Sequence, residues 1–322
     1  MMPSMQVERL GDIRGALRRL GHVSGTEGAE VGNGLVTPLP ATTTRPVSQH
    51  VQKAIDAHTE AVAFARSIGR ESVTAVAHFV LSVSQFRACR LEDAGNSVQQ
   101  AITAALGAGS TLWAAWARSG LAYLLFEQGK LAEAAEAISE VLRDPLPNPR
   151  ARAECLWIQA MILRETGQIE QAGTSIGAAI RLARDQHIAV PEADFEIERG
   201  KVLLAAGESQ EALAVLQKAA ATHQHFGDRG REATALDAAG EACQALARFD
   251  EAADLHRRAA TRHGEIEDPR HQAIALANLA RALHHLGAAD EAARQSSFAL
   301  QLLAPYDDPR ADLLRSHITG SS

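Results

Sequence analysis

Six short phrases recur along the chain: CRLEDA from Cys89, GKLAEA from Gly129, GQIEQA from Gly167, GESQEA from Gly207, ARFDEA from Ala247 and GAADEA from Gly287. Their starts lie 40, 38, 40, 40 and 40 residues apart. Each phrase ends on an alanine: Ala94, Ala134, Ala172, Ala212, Ala252 and Ala292. A second small position follows at Ala101, Ala179, Ala219, Ala259 and Ala299, with Val141 in the remaining slot. Helix breakers and boundaries keep the same phase at Gly69, Gly109, Pro149, Arg229, Pro269 and Pro309. A turn, a small packing residue and a breaker sharing one period mark repeated supersecondary units.

Each unit reads as two helices. In GREATALDAAGEACQAL (Gly230–Leu246), the residues Ala233, Leu236, Ala239, Gly240, Cys243 and Leu246 form one helical stripe. A short turn follows, with Asp250 expected to cap the next helix and Glu251 near its positive end. The second helix turns Ala252, Leu255 and Ala259 inward. So short a turn makes the two helices antiparallel neighbours. Alanine at the contact lets their backbones approach. Hydrophobic residues make up 46% of the chain but aromatics only 4%, a mix suited to close-packed helices. One hairpin cannot cover its own apolar faces, so units stack. The expected fold class is all-α: an elongated, right-handed superhelical solenoid of antiparallel helix pairs.

The phase runs out at both ends. The array is expected over residues 48–309. Residues 21–47 hold many glycines, threonines and prolines and read as a flexible linker. Residues 1–20 read as a degenerate or truncated helical segment, the trace of a worn repeat or the edge of a larger protein. Residues 310–322 read as a short capping helix and a disordered tail. DPLPNP at 144–149 and QHIAVPEAD at 186–194 read as irregular joints, with Pro191 placed for a first helical turn.

Chemistry is sparse. The formal charge of −7 argues against a nucleic-acid footprint, and no basic recognition helix occurs. The three cysteines, widely spaced and odd in number, give no disulfide framework, and a reducing cytoplasm is expected. The longest apolar run, Leu112–Phe126, is broken by Arg118, so no membrane partner is expected. Glycines at Gly107–Thr111 lack the lysine of a phosphate-binding loop, and no HExxH occurs. Thirteen histidines include His223 and His263 in one repeat slot, which invites stacking, but no third ligand stands at metal spacing. They read as surface or groove histidines, and the carboxylates as solvated groups or caps. No catalytic residue, metal or cofactor is nominated.

The first helices resemble those of the tetratricopeptide family. Leu276, Leu279, Ala280 and Leu283 precede Gly287; Leu236, Ala239, Gly240 and Cys243 precede Ala247; Leu121, Ala122 and Leu125 precede Gly129. Gly200 and Leu203 precede Gly207, while Glu196 and Arg199 depart from the pattern. Units of about 40 residues, with HFGDRGREATALDAAGEA and NLARALHHLG, are similar to arrays of bacterial signal-transduction ATPases and transcriptional regulators, and to arrays that sense small peptides. The resemblance implies that first helices line a concave groove. Its inward slots carry Phe79, Phe86, Trp116, Tyr123, Phe126, Trp157, Met161, Arg164, Lys201, Asp237, Glu241, Arg281 and His284. Each ring there either faces the groove or fills a thick core between units. A carboxylate clamp is not expected, because its asparagine slot is matched only by Asn278. The implied function is a protein- or peptide-binding scaffold in a bacterial regulatory system. Two other readings stand beside it: a small-ligand or catalytic protein using the concave cavity, and a module for self-association.

Overall fold

The computed structural model describes residues 49–88, 90–143, 148–185 and 189–320. The expected segments at 1–20 and 21–47 lie outside them. The described residues hold fourteen helices and no strand. After α1 (Gln49–Ser67), the first helices of successive units are α2 (Glu71–Arg87), α4 (Thr111–Glu127), α6 (Pro149–Glu165), α8 (Ala189–Ala205), α10 (Arg229–Ala245) and α12 (Pro269–His285). The second helices are α3 (Leu91–Gly107), α5 (Leu131–Arg143), α7 (Ile169–Asp185), α9 (Ser209–Phe226), α11 (Phe249–Glu265) and α13 (Ala289–Leu303). A last helix, α14 (Pro309–Gly320), covers the end, and the expected disordered tail starts no earlier than Ser321, outside the described residues.

Local chemistry sets these limits. Asn148 caps α6 by accepting the Ala151 N–H at 3.1 Å, and Pro149 follows in the first turn. Asp228 and Asp268 cap α10 and α12 in the same way. Pro191 falls in the first turn of α8. The expected cap at Asp250 is corrected. The N-cap of α11 is Arg248, without a side-chain cap bond, and Asp250 sits inside the first turn. The helix begins two residues earlier than the sequence suggests because Ala247 takes the left-handed conformation, φ 57°, that glycine takes in sister turns. There the Asp250 carboxylate acts on the positive helix end rather than as a cap.

The repeated alanines are the seams between helices. Ala94, Ala134, Ala172, Ala212 and Ala252 are at most 1% exposed, and Ala101, Ala179, Ala219, Ala259 and Ala299 at most 2%. Close approach shows at two glycines of first helices. A Cβ on Gly200 would stand 2.4 Å from Leu216, and one on Gly240 would stand 2.6 Å from the His256 ring. Consecutive helices pack along the whole chain, and first helices also touch first helices: α2 to α4, α4 to α6, α6 to α8, α8 to α10 and α10 to α12. The layer whose members touch lies on the short-radius side, so first helices line the inner face.

The expectation of an elongated array needs correction. Arg270 Nη2 at the start of α12 donates to the carbonyl oxygen of Glu127 at the end of α4, 2.7 Å away and 143 residues earlier. At the head of α14, the Arg310 N lies only 3.2 Å from where a Gly129 Cβ would be. The array therefore curves until units far apart in the chain touch.

Candidate functional site

Successive first helices present aromatic rings to one another along the inner layer. Phe86 of α2 meets Tyr123 of α4 edge-on, with centroids 6.1 Å apart. Tyr123 stacks on Trp157 of α6 at 6.1 Å, and Trp157 meets Phe195 of α8 at 5.9 Å. Such contacts add stabilisation beyond area burial. The row ends on a cation: the Arg231 guanidinium of α10 lies over the Trp157 ring at 5.3 Å. Arg231 Nε stands 3.1 Å from Asp194 Oδ1, and His223 Nε2 stands 3.4 Å from the same oxygen. Burial pushes the Asp194 carboxyl up against the pull of Arg231 and His223. Burial also pushes Glu154 up, against Arg150.

At the foot of the row, Glu127 is almost fully enclosed, its side chain 4% exposed. Burial pushes its carboxyl up. Arg310, His271, Arg270 and the Tyr123 hydroxyl outweigh burial and hold it below the ordinary range. The Tyr123 phenol is pushed up by burial and by Glu127.

The far half of the inner face is polar. Asp237 of α10 lies 2.6 Å from His256 Nδ1 of α11 and accepts from Asn278 Nδ2 of α12 at 3.0 Å. Asn278 Nδ2 also reaches Glu241 Oε1 at 3.2 Å. Gln244 Nε2 donates to the Asn278 carbonyl at 2.8 Å, and Arg281 Nη2 donates to Asn278 Oδ1 at 2.8 Å. Burial works to raise Asp237, but the His256 bond and charge and the Asn278 bond outweigh it and lower its carboxyl. Burial, with the Asp237 charge behind it, pushes Glu241 up. The two carboxyls therefore divide the work: Asp237 holds the charge and Glu241 resists it.

No family model and no curated protein matches the sequence. Solved structures match the fold. A Rap protein complexed with competence and sporulation factor aligns at TM-score 0.59 and 14% identity, covering 84% of this chain and 80% of the other. The apo form of the quorum sensor NprR from B. thuringiensis aligns at TM-score 0.59 and 14% identity, covering 79% and 71%. A signal-transduction ATPase with a tetratricopeptide repeat sensor, from Pyrococcus horikoshii, aligns at TM-score 0.57 and 15% identity, covering 86% and 43%. The chain is a tetratricopeptide-like repeat protein. Identities this low carry the fold and nothing finer.

Within this tetratricopeptide-like array the predicted groove residues divide. Phe86, Tyr123 and Trp157 join the row. Trp116 lies partly buried beside Trp113, with Arg150 over its ring at 5.7 Å. Phe79 packs on Gly120 between α2 and α4, where a Cβ would come within 2.6 Å of its ring. Phe126 and Met161 are 1% and 7% exposed and fill the core between units. Arg164 is held by Glu198, Nε to Oε1 at 2.7 Å, and Lys201 lies partly buried within electrostatic reach of Glu241. Asp237 and Glu241 form the polar network; Arg281 and His284 stand exposed at its edge.

Two readings of residue type are corrected. His223, His256 and His263 are buried, at 0%, 0% and 3% exposure, rather than on the surface or in the groove. His263 stacks on His271 at 5.3 Å. Carboxylates at Glu127, Glu198 and Asp237 are buried and bonded rather than solvated. The sequence reading also missed Phe195, Arg231 and Glu127. Phe195 lies on α8, where Lys201 alone was named as an inward residue. Arg231 lies in the first turn of α10, ahead of the inward slots. Among the described residues no cluster of His, Cys, Asp or Glu is arranged to hold a metal ion, and no helix is long and apolar enough to cross a membrane.

Proposed function

We propose that this tetratricopeptide-like array binds a peptide or protein segment on its inner face and serves as the sensory or assembly part of a bacterial regulatory system. The row Phe86–Tyr123–Trp157–Phe195, ended by Arg231, carries the reading. Phe86, Tyr123 and Trp157 are partly buried, with Phe195 buried behind them; partly buried rings flanked by a cation are the residue types that dominate recognition hot spots, because they offer large rigid contact at small entropic cost. The carboxylates and amides of α10 and α12 supply polar partners farther along the same face. Two aligned structures support the reading by their nature: one is a Rap protein bound to competence and sporulation factor, the other a quorum sensor. The reading places the protein in the cytoplasm, where the free, buried Cys155 and Cys243 are at home.

Selection of displayed random peptides on the wild-type chain, repeated on Trp157→Ala and Tyr123→Ala, tests the reading. Loss of the selected peptides by folded variants supports it. Undiminished capture by both rejects the row as the binding surface.

A further inference from the structure

The walls of the array meet at one seam, where the end of α4 faces the heads of α12 and α14. Arg270 is buried there, its side chain 4% exposed. It grips Asp308 with two nitrogens, at 3.0 and 2.8 Å, and Nη2 also donates to the Glu127 carbonyl at 2.7 Å. Asp308 in turn accepts the Ala311 N–H at 3.1 Å, so α14 is capped by the carboxylate that holds Arg270. Arg310 lies over the Phe126 ring at 4.9 Å, with Nη1 3.7 Å from Glu127 Oε2. A second contact crosses the interior above the seam, where Arg231 of α10 covers Trp157 of α6.

Three properties set this seam apart from every other helix contact in the chain. It joins residues 143 positions apart, whereas the extensive helix contacts among the described residues are between near neighbours. Few side chains and one carbonyl make it, with no broad face-to-face packing between α4 and either partner helix. Its central acid, Glu127, is bonded to the Tyr123 hydroxyl, and Tyr123 stacks on Trp157. A seam of a few polar contacts between two walls that each pack on their own neighbours can part without unfolding either wall.

We propose that the Glu127–Arg270–Arg310 seam is a clasp that holds the array in a closed turn and gates access to the aromatic row. In the closed state Arg231 covers Trp157 from the opposite wall. When the clasp parts, the walls separate, Arg231 leaves the ring, and the inner face opens. A ligand that stacks on Tyr123 and Trp157 displaces Arg231 and shifts the array toward the open state. This last step rests on the row being the binding surface; the clasp itself does not.

Spin labels at Lys130→Cys and Asp312→Cys, both exposed positions flanking the seam, read the clasp in a Cys89→Ser chain. Cys155 and Cys243 are buried and do not compete for label. A single short distance is expected for the otherwise wild-type chain, and a longer population for Arg270→Gln/Arg310→Ala, which removes both the bond to the Glu127 carbonyl and the contact with its carboxylate. Identical distance distributions overturn the clasp. Acrylamide quenching of Trp157 alone, in a Trp113→Phe/Trp116→Phe chain, reads the gate. A quenching constant at least twofold larger in the opened variant is expected, and an unchanged constant in a variant whose distance has lengthened overturns the gate. Should the double variant lose helicity, Arg310→Gln alone, a partly exposed position, serves the same two readouts. Neither readout needs a ligand, so failure of peptide binding leaves the clasp standing, and failure of the clasp leaves the row as a binding surface.

Discussion

The His256 ring lies against Gly240, so close that a Cβ on the glycine would stand 2.6 to 2.8 Å from three ring atoms. The glycine is the socket in which the imidazole meets Asp237, with Nδ1 2.6 Å from Oδ1. Gly240→Ala should therefore destabilise the chain by about 1–3 kcal/mol, the ordinary cost of overpacking, despite the higher helix propensity of alanine. Urea unfolding measures it. In a His256→Ala chain the same glycine change should be harmless or stabilising, since the ring it collides with is gone.

Glu241 offers a stabilising substitution. Its carboxyl is pushed up by burial and by Asp237, so ionising it opposes folding. The unfolded carboxyl ionises near its ordinary value, about 4.3. The native charge therefore weakens the fold above that pH and has no effect below it. Glu241→Gln keeps an oxygen for Asn278 and removes the charge. The variant should melt higher than wild type at pH 7, and the two should converge near pH 4. A lower melting temperature at pH 7 would refute this account.

How much of this was readable in advance follows from range. The helix pairs repeat because turn, seam and breaker are local, and Ala94 to Ala299 were placed by counting alone. Tyr123 and Trp157 were legible through the family resemblance, which assigns them to two different inward slots of the first helices. Arg270 and Glu127 were not, since a contact 143 residues long leaves no periodic trace. The buried histidines were misjudged through composition, which makes histidine a surface residue by default. Their partners Asp194, Asp237 and Asp268 lie on neighbouring elements, where spacing along the chain says little. One signal was present: Gly240 is a small residue opposite a large one, and a socket implies an occupant.

The histidines should titrate apart. Burial lowers His271, but Asp268 at 2.8 Å and the charge of Glu127 outweigh it and raise its pKa. Burial lowers His58, His78 and His223, and Asp194 and Asp228 do not offset it at His223. Proton NMR should place the His271 midpoint above the ordinary histidine value of about 6.5 and the other three below it. The sign for stability follows. His271 contributes below pH 6.5, and the contribution is lost as pH rises through its higher folded value. Wild type should therefore lose stability between neutral and mildly alkaline pH relative to His271→Gln. Parallel curves for the two chains would show that the Asp268 bond is not sensed.

Arg231 and Asp194 should prove coupled to each other and, through Trp157, to the aromatic row. Arg231 keeps 36% of its side chain exposed, so its charge alone is partly screened. Asp194 is more enclosed, at 21%, and burial already pushes its carboxyl up. Removing the guanidinium leaves that carboxylate facing His223, whose charged form burial disfavours, whereas removing both charges leaves neither stranded. Arg231→Gln should lower stability, and adding Asp194→Asn should restore part of it, with an interaction energy of about 0.5–3 kcal/mol from the double-mutant cycle. The same variants should change Trp157 emission, because the cation leaves the ring in both. Strict additivity of the two substitutions would mean the 3.1 Å contact contributes nothing, and that Arg231 lies over Trp157 through packing of its stem alone.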